Sequence, residues 1–201
     1  TGPYTMMDWS FNEAYPDRRA LTIALAHALR REVDALVEAG CKYVQIDEPA
    51  VSTRPDELEI AIEAMGICTE GLPQDVKTIT HICYGDFAAI YPDMLRIPVD
   101  QFDLEMSNSE LDMLGVFSES EFTKEIAFGV VDVHSHSLET VEDVKRRVRA
   151  ALEVIPAERI TLDPDCGLKT RTREETVEKL KVIVQAAREL REEFARQPAD
   201  A

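Results

Sequence analysis

Apolar positions along the chain fall into two alternating patterns. Short continuous apolar runs of strand type are followed by stretches in which apolar residues recur three or four apart, as on one face of a helix. Pro3 to Met7 reads as a short strand and leads into the loop Asp8-Trp9-Ser10-Phe11. From Asp17 to about Ala39, a stripe of Leu21, Leu25, Leu29, Val33, Leu36 and Val37 predicts a helix, closed by Gly40. Tyr43-Val44-Gln45-Ile46 is a buried-type strand that stops at Asp47-Glu48-Pro49, because proline cannot donate to a ladder. A helix over about Glu57 to Met65 follows, then a strand from Val76 to Cys83 and a helix from Asp86 to about Leu95, interrupted by Pro92. Gln101 to Met106 is the next strand, with a short helix about Leu111 to Leu114 behind it. Ile126 to Val133 is a further strand. Thr140 and Asp143 then form a capping pattern for a helix carrying Val141, Val144, Val148 and Leu152. Ile160 to Leu162 is the last strand, and Thr172 with Glu175 caps a long final helix.

Strands alternating with helices mean parallel strands joined by crossovers, an α/β fold. Polar residues cluster just past the apolar part of successive strands: Trp9, Asp47, His81 with Cys83, Glu105, His134 and Cys166. Both open sheets and barrels bind ligands at strand C-termini, but contributions from every strand favour a barrel mouth. The expectation is therefore a fold of the (βα)8 TIM-barrel type with about six βα units in this chain, organised as one domain over residues 1–201.

Composition narrows the function. The net charge of −17 disfavours nucleic acid as a partner, since phosphate binding needs a basic patch. No apolar run is long enough for a membrane span, and no signal peptide is visible. Cys41, Cys68, Cys83 and Cys166 are scattered, which fits reduced thiols in the cytoplasm better than a disulfide framework.

The chemistry centres on Thr80-His81-Ile82-Cys83. Residues two apart on a strand face the same side, so His81 and Cys83 can aim a nitrogen and a sulfur at one point, a zinc-like pair. Glu105 at a strand end and Cys166 in a Pro-Asp-Cys-Gly turn could complete a four-ligand zinc site. Two thiolates, an imidazole and a carboxylate leave little positive charge on the metal, so a further thiolate bound there keeps its nucleophilicity. Such a site suits thiol alkyl transfer.

The motifs Asp8-Trp9-Ser10-Phe11, Gln45-Ile46-Asp47-Glu48-Pro49-Ala50, His81-Ile82-Cys83-Tyr84, Asp132-Val133-His134-Ser135 and Pro164-Asp165-Cys166-Gly167-Leu168-Lys169-Thr170-Arg171 resemble, in order, those of the catalytic domain of cobalamin-independent methionine synthase. The resemblance implies a zinc enzyme of methionine biosynthesis that moves methyl from a carrier to the thiolate of homocysteine. It makes His81, Cys83, Glu105 and Cys166 the Zn2+ ligands. It matches Asp47 to the aspartate that holds the substrate amino group, with Glu48 beside it in substrate binding. Trp9 matches the aromatic against a folate pterin, and His134 the proton donor to the departing carrier, with His136 as its rival. Asp47 and Glu48 could instead bond backbone. The donor is open between methyltetrahydrofolate and a methylcorrinoid protein. Two alternatives stand beside this reading: a related zinc alkyltransferase of the coenzyme M type, and a non-catalytic zinc-binding barrel remnant.

The family's first two βα units have no match, so the chain is expected to be the C-terminal part of a barrel. Strand edges at Pro3–Met7 and Ile160–Leu162 would then lie open, where a second copy or the missing part of a longer polypeptide could pair.

Overall fold

A computed structural model describes residues 1–83, 87–107, 111 and 113–196. The helices are α1 (Pro3–Asp8), α2 (Arg18–Glu38), α3 (Leu58–Thr69), α4 (Met113–Glu119), α5 (Val141–Leu152) and α6 (Arg173–Arg196). The strands are β1 (Tyr43–Gln45), β2 (Lys77–Ile82), β3 (Gln101–Leu104), β4 (Glu125–Val131) and β5 (Ile160–Pro164), with sheet order β1-β2-β3-β4-β5. β1 and β2 run parallel, with Tyr43 opposite Lys77 and Gln45 opposite Ile79. The α/β class holds, with five strands among the described residues instead of six.

The chain divides into two compact units. The first comprises Thr1–Asp103 and Phe122–Ile126. Its opening segment corrects the expected strand, for Pro3–Asp8 is a helix with proline in its first turn. Proline fits there because its missing N–H would have no helical partner in any case. The α2 helix starts on Asp17, whose side chain accepts from the Ala20 amide, and it ends before Gly40 at φ +96°, a conformation that favours glycine. Its buried face is Thr22, Ala26 and Val33, whereas Leu36 stays 42% exposed. Cys68 of α3 is fully buried beside α2, its thiol donating to the Ala26 carbonyl at 3.7 Å. Burial pushes that thiol up to about 12, so Cys68 is a packing residue. The helix expected around Pro92 is replaced by two 3-10 turns, Phe87–Ala89 and Asp93–Arg96; the start expected at Asp86 lies outside the described residues.

The second unit comprises Leu104–Glu121 and Ala127–Ala201. Phe128, Val130 and Val131 of β4 are fully buried. The α5 helix carries the expected capping box, with Thr140 and Asp143 exchanging side-chain and backbone hydrogen bonds. Thr172 and Glu175 do the same at the start of α6. Val144, Val148 and Ala151 of α5 and Ile183, Ala186 and Leu190 of α6 are buried. Lys145 binds Glu189 at 2.9 Å and Glu193 at 2.6 Å, joining the same two helices. No helix among the described residues is long and apolar enough to cross a membrane.

Candidate metal centre and the loops around it

In the first unit, β2 carries His81 and Cys83 follows directly after it, both buried. Backbone bonds fix the end of this strand: the Glu48 amide donates to the His81 carbonyl at 2.9 Å, and the Thr80 hydroxyl donates to the Ile46 carbonyl at 2.8 Å. His81 Nδ1 lies 3.0 Å from Asp103 Oδ2 on the neighbouring strand. The geometry is that of an ion pair, since the ring nitrogens make no aligned hydrogen bond. Burial opposes a charge on the ring, but Asp103 and the Cys83 sulfur outweigh it and raise the His81 pKa above the ordinary imidazole value while no metal is bound. Asp103 carries no motif signal of its own; the clue in the sequence is its place two residues before Glu105 on a strand beside His81.

In the second unit, Glu105 follows β3 and is 5% exposed, while Cys166 follows β5 and is half-buried. Between them acts Asp165, fully buried. Its Oδ1 accepts from the amides of Met106 at 3.2 Å and Ser107 at 2.9 Å, and its own amide donates to the Val131 carbonyl at 3.0 Å.

One set of side chains among the described residues meets the requirement for a metal. His81, Cys83, Glu105 and Cys166 each offer a ligand atom, and these atoms all lie within 4.8 Å of one another. Asp47 and His134 are not in this set. Asp47 is half-buried and accepts from the Gln45 amide group at 2.9 Å.

A family model described as the cobalamin-independent synthase catalytic domain matches residues 1–189. The chain belongs to that family. Methionine synthase of Saccharolobus solfataricus is 39% identical over 196 residues, 98% of this chain and 58% of that protein. Methionine synthase of Sulfurisphaera tokodaii is 38% identical over 194 residues, 96% of this chain and 56% of that protein. The chain thus spans rather more than half the length of these curated relatives. A B12-independent methionine synthase from Shewanella sp. W3-18-1, solved in complex with selenomethionine, superposes with a TM-score of 0.89 at 27% identity, covering 98% of this chain and 62% of that one. A Methanosarcina mazei methyltransferase shares the fold at TM-score 0.68 and 20% identity.

The donor set of this family member fits zinc. Two sulfurs, an imidazole nitrogen and a carboxylate oxygen are zinc-competent, and four is the coordination number zinc takes in protein sites. His81 Nε2 is buried without a hydrogen-bond partner, an unsatisfied position that a metal would fill. Its Nδ1 faces Asp103, the carboxylate–histidine arrangement that orients metal-binding imidazoles.

The remaining expected residues sit on loops held by other carboxylates. Glu48 accepts the amides of Tyr4 at 3.0 Å and Thr5 at 2.8 Å, so it caps α1. It is 1% exposed and both of its oxygens bond backbone. Trp9 closes α1 with its side chain 67% exposed, and Asp8 beside it is gripped by Arg18 at 2.6 Å and Arg54 at 2.9 Å. His134 is exposed, its amide donating to Asp132 Oδ1 at 2.7 Å. Its rival His136 is tied to Glu175 at 2.7 Å. Sequence reasoning misses Lys179, fully buried, which donates to the Ser137 carbonyl at 2.6 Å and to Glu139 Oε2 at 2.8 Å. Glu139 Oε1 in turn accepts the Asp132 amide at 2.9 Å, so the pair holds the segment bearing His134.

Proposed function

We propose that this chain is the zinc-bearing part of a methyltransferase that makes methionine from homocysteine and a methyl carrier. The carrying observation is the convergence of His81, Cys83, Glu105 and Cys166 in a member of the cobalamin-independent synthase family. The reading takes residues 1–201 as one domain of barrel type working in the cytoplasm, where thiols stay reduced.

In this reading His81, Cys83, Glu105 and Cys166 hold Zn2+. Zinc bound there would lower the pKa of the homocysteine thiol and keep it as a thiolate at neutral pH. Asp103 orients the His81 ring, and Asp47 receives the substrate ammonium. The S–CH3 bond forms as the carrier–CH3 bond breaks. A folate carrier then leaves on a nitrogen that must gain a proton, and His134 supplies it. Trp9, with its ring exposed, offers the stacking face for the carrier. A corrinoid carrier would leave His134 with little to do, so the His134→Asn variant separates the two donors.

The test begins with metal content. Purified chain should hold one zinc by atomic absorption, and Cys83→Ser or Cys166→Ser should lose most of it, because a neutral hydroxyl is a poor zinc ligand. Cys41→Ser and Cys68→Ser should retain it. Full zinc retention in Cys166→Ser would remove the assignment. X-ray absorption at the zinc edge should then show an added sulfur ligand when homocysteine is supplied.

A further inference from the structure

We infer that Asp165 is a positioning residue that fixes Glu105 relative to Cys166 before a metal arrives. The inference rests on the zinc reading above and extends it to a residue that touches neither metal nor substrate.

Asp165 is joined covalently to Cys166, and its Oδ1 accepts the two amides that directly follow Glu105. Those residues, Met106 and Ser107, belong to no helix or strand, so no ladder sets their path. A carboxylate accepting two N–H groups in a buried site makes bonds stronger than neutral pairs and fixed in direction. The Asp165 amide bonds the Val131 carbonyl, which ties the same turn to the end of β4.

Gly129 completes the device. A Cβ on Gly129 would overlap Asp165 Oδ1 outright and would sit 2.9 Å from both the Asp165 Cα and the Leu104 carbonyl oxygen. Residue 129 must therefore lack a side chain for the carboxylate to reach the Met106 and Ser107 amides. The backbone just after Glu105 and the residue before Cys166 thus meet at one carboxylate oxygen, and Gly129 packs against both that carboxylate and the Leu104 carbonyl just before Glu105. A role confined to folding would be met by any buried polar bridge. A link between the flanks of two ligands instead sets the separation of the ligand atoms, which metal affinity reads directly.

Zn2+ affinity by competition with a chelating dye, and the d–d spectrum of the Co2+-loaded protein, test this in wild type, Asp165→Ala and Asp165→Asn, alongside the metal-free melting temperature. Asp165→Ala should bind Zn2+ at least about tenfold more weakly and lose the intense bands of tetrahedral cobalt while the metal-free protein still melts cooperatively. Asp165→Asn keeps an Oδ1 acceptor and should restore most of the affinity. Wild-type affinity and spectrum in Asp165→Ala would overturn the role of Asp165 and leave the zinc reading standing. A wild-type chain that takes up neither metal would overturn the zinc reading and this inference with it. Should Asp165→Ala fail to fold, Gly129→Ala carries the test by pushing the carboxylate aside. A folded Gly129→Ala with wild-type Zn2+ affinity overturns the inference.

Discussion

Two buried carboxylates, one in each compact unit, do the same job with different anatomy. Glu48 uses both oxygens, one for each of two consecutive amides at the start of α1. Asp165 uses a single oxygen for two consecutive amides of an irregular segment. Each presses on a glycine: a Cβ on Gly2 would lie 2.7 Å from Glu48 Cγ and closer still to its carboxyl group, as one on Gly129 would crowd Asp165. Each also adjoins a residue given a chemical role above, Asp47 or Cys166. In each pair one residue carries the chemical role while its neighbour holds backbone. The difference lies in what is held. Glu48 completes a helix end, where hydrogen bonding and the helix dipole reinforce each other. Asp165 holds an irregular segment that directly follows a ligand residue, so its loss should register in metal geometry as well as in stability.

The largest effect expected from this contrast is on Glu48. Glu48→Ala leaves the Tyr4 and Thr5 amides buried without partners and opens a void against Gly2, so it should cost about 4 kcal/mol of unfolding free energy. Urea denaturation measures it. Zn2+ affinity of the folded fraction should stay near wild type, unlike that of Asp165→Ala. A Glu48→Ala protein of wild-type stability but weakened zinc binding would erase the distinction between the two carboxylates.

Glu139 is a third case, and it adds a counter-charge. It holds the Asp132 amide with one oxygen and the fully buried Lys179 with the other. Lys179→Met keeps the volume but strands the Glu139 carboxylate, at a cost of about 3 kcal/mol. Hydrogen exchange should speed up across 132–139, the segment with His134, and stay slow in α1. Glu48→Ala should give the opposite map. Uniform exchange changes in both variants would show that these carboxylates support the whole fold and not their own loops.

These supports explain what the sequence reveals and what it hides. His81, Cys83, Glu105 and Cys166 are legible because their donor chemistry is rare and each sits where an apolar run ends. The α5 and α6 caps are legible because both partners lie within one turn and both carry a telling side chain. Glu48, Glu139 and Asp165 are legible as acids but not as clamps, since their partners are remote in sequence or, for the amides of Tyr4, Met106 and Ser107, carry no side-chain signal at all. Helix α1 fails for the same reason. Its few residues show no helical period, and the group that caps it lies 43 to 44 residues downstream. Read locally, Pro3 to Met7 is an apolar run and so a strand; in the fold, Glu48 makes it a helix.

The smallest effect belongs to the solvent-exposed version of the same contact. Asp143 Oδ2 accepts from the Thr140 amide at 3.0 Å and from its hydroxyl at 2.6 Å, at the start of α5. Water competes there, so Thr140→Ala should cost only about 1 kcal/mol at neutral pH. The pH dependence tells the exposed carboxylate from the buried one. Hydrogen bonds from the Thr140 side chain and backbone, with Arg146 nearby, hold the Asp143 pKa down to about 2, from an ordinary 3.8. A carboxyl whose pKa is depressed on folding stabilises the protein above its unfolded pKa, and that contribution is lost as pH falls through the folded value. The gap between wild type and Thr140→Ala should therefore be full at pH 7 and narrow as pH drops from about 4 towards 2. Glu48 has the opposite sign: burial raises its pKa against the pull of the Thr5 and Tyr4 hydrogen bonds. Its ionisation therefore weakens the fold as pH climbs from the ordinary carboxylate value through the raised one. Thermal melts of both proteins at pH 7 and pH 3 measure the narrowing for Thr140→Ala. A gap that widens on acidification would mean that the cap does not act through the Asp143 carboxylate.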